Sequence, residues 1–122
     1  LLRQGGRVFI HEIHPVSTML PDDSLRDQNP LQINDVYFKS EPWVRYGDLD
    51  YVGGCHYESN LPQYEFAHPL SEIIMALVEN GVAVERFLEF EKDISTAHQR
   101  QEHKGLPLSY ILIGRLGAGA AR

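Results

Sequence analysis

The chain has 122 residues, enough for one domain, and 43% hydrophobic and 23% charged residues are ordinary for a globular protein. Asp and Glu outnumber Lys and Arg by 17 to 11, a formal net charge of −6, which excludes a general nucleic-acid binder because phosphates need a basic face. No apolar run approaches the roughly 20 residues of a membrane span, so no membrane is expected. The single cysteine, Cys55, excludes an internal disulfide and fits a reducing, cytoplasmic compartment.

Gly5 and Gly6 form a turn that runs into a strand over Val8 to Ile13. Val8, Phe9 and Ile10 make this strand apolar on both faces, as in a sheet covered by helices on both sides. Glu12 and His14 share one face at its end, because side chains alternate along a strand. Arg3 and Arg7 flank the glycines, which is not the pattern of a secretory signal. An opening of this kind reads as the second half of a larger α/β unit, with an N-terminal half missing.

Residues 16–67 form a long polar and aromatic insert. A short helix is predicted over Ser24 to Asn29, and short strands over Val36–Lys39 and Trp43–Tyr46, joined through Ser40, Glu41 and Pro42. Gly53 and Gly54 read as a turn. Helix periodicity is clearest over His68 to Asn80. Leu70, Ile73, Ile74, Leu77 and Val78 fall on one face, Pro69 suits the first turn, and Gly81 suits the cap. A second strand follows over Val82 to Phe90, a helical turn over Ile94 to Gln101, and a last strand over Leu108 to Gly114. Residues 116–122 are low-complexity and predicted to be disordered.

Three stretches resemble class I S-adenosylmethionine-dependent methyltransferases of the small-molecule branch. They are residues 5–12, the run His68-Pro69-Leu70-Ser71-Glu72-Ile73-Ile74 continuing to Gly81, and residues 108–114. The resemblance implies an α/β fold, the C-terminal part of a Rossmann-like methyltransferase sheet over residues 1–115, with one main helix. It places the last strand antiparallel between the first and second strands. The implied activity is methyl transfer to a small-molecule acceptor, with S-adenosyl-L-methionine as cofactor. The family's glycine-rich strand–loop–helix grip is not matched, since Gly53-Gly54 and Gly117-Ala118-Gly119 lack that context. The cofactor site is therefore expected outside this chain, which alone should be inactive.

Glu12, His14, Tyr37, Trp43 and His68 are the candidate acceptor-binding residues. Glu12 and His14 could orient a substrate beyond the strand end, or form a structural pair that caps the loop. The insert aromatics Tyr37, Phe38, Trp43, Tyr46, Tyr51, Tyr57, Tyr64 and Phe66 could form a lid or pack the insert onto the sheet. The sequence His11-Glu12-Ile13-His14 is one residue short of the zinc-protease spacing, so no metal is expected. Cys55 beside His56 reads as a structural thiol. The run His98 to Lys104 reads as a solvated connection. No catalytic residue is assigned. An alternative is a non-enzymatic methyltransferase-like interaction module that pairs its open strand edge with a partner, and self-association is expected on the same ground.

Overall fold

The computed structural model describes residues 2–49 and 54–117. Its main sheet contains β1 (Arg7–Ile13), β6 (Val82–Phe90) and β7 (Ser109–Leu116) in the order β1–β7–β6. Both pairings are antiparallel. Two small antiparallel pairs lie in the insert: β2 (Trp43–Arg45) with β5 (Gln63–Glu65), and β3 (Asp48–Leu49) with β4 (His56–Tyr57). The one α-helix among the described residues is α1 (Leu70–Glu79).

This overturns the Rossmann-like fold class. Such a sheet needs parallel neighbours, each joined by a helical crossover, and helices on both faces. Here β6 returns one strand away from β1, and β7 fills the gap antiparallel to both, so no neighbouring pair among the described strands is parallel. The result is a set of small antiparallel sheets with a single α-helix. The expected position of the last strand between the first and second is met.

The insert differs from its expected elements. Ser24–Asn29 is a series of turns, closed by Leu25 N–H donating to Asp22 and Gln28 N–H donating to Leu25. Residues 36–39 are irregular, and β2 pairs instead with β5. Ser24–Asn29 holds Leu25 as its one apolar residue, too little to bury a helix face, and residues 36–39 have no local strand partner. In Ile94–Gln101 only Gln99–Gln101 forms a 3-10 turn. Leu116 lies in β7 and the Gly117 N–H donates to the Gly81 carbonyl, so the expected tail does not begin at Leu116. Tyr51, Gly53 and residues 118–122 lie outside the described residues.

The register assigns the faces. Val8, Ile10 and Glu12 stand opposite Gly114, Leu112 and Tyr110, and β6 adds Val84, Phe87 and Glu89 to the same face. Helix α1 covers this face, with Ile73 and Leu77 toward Ile10. Leu108 and Leu112 are fully buried and form the centre of the core. Gly114 is required here by packing: a Cβ would lie 2.5 Å from Val82 Cγ1 and 3.2 Å from Val8 Cγ1. The opposite face carries Phe9, Ile111, Ile113, Leu88 and Phe90, and Phe9 is 63% exposed. A bulge between Val84 and Arg86 turns Glu85 toward that face. Glu85 accepts hydrogen bonds from Arg7 Nε at 3.0 Å and Arg115 Nε at 2.7 Å, tying all three strands at one end.

Helix α1 starts after Pro69, which offers no side-chain cap. The Tyr37 hydroxyl supplies one instead, accepting the Leu70 N–H at 3.1 Å. The helix ends where Gly81 takes φ +78°, a left-handed conformation that suits glycine.

Candidate functional site

A cavity of about 350 Å³ opens where β1, the β2–β5 pair and α1 meet on the helix-covered face. Glu12 and Ile13 enter from the end of β1, and Pro15 and Thr18 from the 3-10 turn that follows it. Trp43 and Glu65, direct partners in the β2–β5 register, form another wall. His68 and Ile73 close the helix side, and Tyr110 of β7 lies opposite Glu12 in the strand register.

Three of the five sequence candidates, Glu12, Trp43 and His68, come together in this cavity. His14 and Tyr37 are not among its lining residues. His14 is 4% exposed and sits edge-on to Tyr110, with ring centroids 6.2 Å apart. Its Nδ1 accepts the Val16 N–H at 3.1 Å, and its Nε2 faces Glu89 Oε1 at 3.1 Å. Desolvation by burial lowers its pKa below the ordinary value, against the opposing effect of Glu89. Glu12 does not pair with His14. Its Oε1 accepts the Ile13 N–H at 2.8 Å, and no cationic side chain pairs with it among the described residues. Tyr37 is the helix cap described above.

Trp43 is half-buried and held. Its indole N–H donates to Asp35 Oδ2 at 2.9 Å, and Lys39 Nζ lies 4.9 Å above the ring while bonding Asp35 at 3.2 Å. A backbone bond from Val36 and the Lys39 ammonium hold the Asp35 carboxyl below its usual range. Glu65 pairs with Arg45 Nη2 at 3.2 Å, and His68 Nδ1 lies 3.2 Å from Glu72 Oε2. Insert aromatics beyond the cavity stay outward: Phe38, Tyr46 and Tyr64 are exposed.

Tyr110 and Glu65 were missed in the sequence. Each is brought to the site by a cross-strand register that no local pattern encodes. The Tyr110 ring is 1% exposed, and burial together with the Glu12 charge raises its pKa.

A second cavity of about 550 Å³ adjoins the first and shares Ile13, Thr18, Trp43 and Glu65 with it. Its far side is a polar loop in which Asp93 accepts the His98 N–H at 3.0 Å and the Ser95 hydroxyl at 2.7 Å. No set of three His, Cys, Asp or Glu side chains among the described residues could hold a metal ion. Nor do these residues fit S-adenosylmethionine. Gly54 has no strand–loop–helix around it, and the first N–H of α1 is already taken by Tyr37. No helix among them is long and apolar enough to cross a membrane.

No protein-family model, curated protein or solved structure matches this chain.

Proposed function

We propose that the chain carries the acceptor pocket of an S-adenosylmethionine-dependent methyltransferase acting on a small molecule. The observation that carries this reading is the convergence of Glu12, Trp43 and His68 on one cavity of about 350 Å³, a size that suits a small organic ligand. The residue runs around Glu12 and His68 are two of the stretches that resemble the family. The cavity contributes to transfer by positioning the acceptor and removing its water, which methyl transfer needs more than a strong acid or base. His14 acts as a positioning residue, holding Glu89 and the loop after β1. The cofactor is held by residues other than those described. The single cysteine supports a reducing, cytoplasmic setting.

Methyl transfer from labelled S-adenosylmethionine to a panel of small acceptors, assayed on the whole protein, tests the reading. Label transfer that falls on Trp43→Ala without loss of folding is expected. A folded protein that transfers no label to any acceptor and does not bind S-adenosylmethionine overturns it.

The edge of β1, unpaired among the described residues, and the exposed Phe9 favour a second property, association with another chain or a second copy. It also fits a purely non-enzymatic interaction module.

A further inference from the structure

We propose that the cavity between Glu12, Trp43 and Tyr110 takes a small organic cation, an acceptor carrying a protonated amine or a quaternary ammonium group. The inference rests on reading the cavity as an acceptor pocket and names the class of molecule it selects.

The wall charges point one way. Glu12 and Glu65 both line the cavity, and no Lys or Arg does. Glu65 has an exposed partner in Arg45, whereas Glu12 has only the neighbouring Ile13 N–H. His68 lines the cavity too, but its Nδ1 is turned to Glu72. An anionic ligand would meet two carboxylates with no cationic side chain on the cavity wall, whereas a cation would meet Glu12, whose other partner is solvent. A cation pairs with Glu12 through a charge-assisted hydrogen bond.

The rings point the same way. Trp43, Phe66 and Tyr110 offer aromatic surface beside the carboxylates, the combination that recognises ammonium groups. Tyr110 adds a hydrogen-bond acceptor to the wall. It is 1% exposed, it lines the cavity, and its hydroxyl has no hydrogen-bond partner among the described residues. Its oxygen is not one of the sealed, unpartnered atoms, which among the described residues are His98 Nδ1 and Gln101 Oε1, so it stays open to a donor from outside the chain. Burial and the Glu12 charge keep the phenol neutral, able to accept an ammonium N–H. The acidic chain, at −6, draws cations toward the cleft.

Trp43 is the sole tryptophan, so its fluorescence reports the cavity directly. The whole protein is titrated with benzylammonium and with its neutral isostere benzyl alcohol. Benzylammonium is expected to bind about tenfold tighter, a preference that Glu12→Gln abolishes. Equal or tighter binding of benzyl alcohol overturns the inference, as does no saturable response to either probe. The wild-type ratio decides even where Glu12→Gln fails to fold. The two readings separate cleanly. A cation preference with no methyl transfer to any acceptor and no binding of S-adenosylmethionine overturns the acceptor reading alone, and methyl transfer to neutral acceptors without that preference overturns the cation inference alone.

Discussion

His14 Nε2 stands 3.1 Å from Glu89 Oε1, and this contact fixes the state of a nearly buried imidazole. Because Nδ1 accepts the Val16 N–H, the ring proton sits on Nε2 and is donated to Glu89. Protonating Nδ1 would break the Val16 bond. Desolvation by burial lowers the folded pKa below the ordinary 6.5, against the raising effect of Glu89. An unfolded chain then binds the proton more readily than the folded one. The resulting stability is present above pH 6.5 and is lost as pH falls below it toward the folded value. Urea denaturation at stepped pH values checks this. His14→Gln should remove this part of the pH dependence. An unchanged slope between pH 7 and 5 in the variant would contradict the assignment.

Gly114→Ala should destabilise by roughly 1–3 kcal/mol through overpacking. Its Cβ would press on Val82 and Val8, each from a neighbouring strand, with little room to yield. Denaturant midpoints of the two proteins give the answer, and equal midpoints would mean that the sheet spreads freely there.

Asp35→Ala should loosen Trp43. It removes the acceptor of the indole N–H and the anchor of Lys39 over the ring. Acrylamide quenching of Trp43 fluorescence is expected to rise. A wild-type quenching constant in the variant would show that packing alone holds the ring.

Leu77→Ala should cost about 1–2 kcal/mol, less than the full burial value, because α1 has no fully buried residue. Leu77 is only half-covered where it faces Ile10. Glu79→Ala, on an exposed position, should stay within about 0.5 kcal/mol. Thermal or urea unfolding of both variants separates them, and equal losses would contradict the helix orientation.

Sedimentation velocity over a concentration series should reveal association of the chain. The edge of β1, unpaired among the described residues, and the 63% exposed Phe9 are the expected contact. Phe9→Lys should weaken it. A concentration-independent monomer would show that edge and face are tolerated by water.

Helix α1 and the strand Val82–Phe90 were legible in the chain itself. Their signals are local: the apolar spacing of Ile73, Ile74 and Leu77, the stop at Gly81, and the β-rich run that follows. Candidate residues at the end of β1 were legible for the same reason, since Glu12 and His14 fall where an apolar strand turns polar. Tertiary structure decided everything that depends on pairing at long range. It put Tyr110 opposite Glu12 and Glu65 opposite Trp43, moved Tyr37 from the pocket to the helix cap, and gave His14 to Glu89 rather than Glu12. It also decided the fold class, because strand propensity is the same in parallel and antiparallel pairs. Only the return of β7 into the gap between β1 and β6 makes every neighbour in that sheet antiparallel.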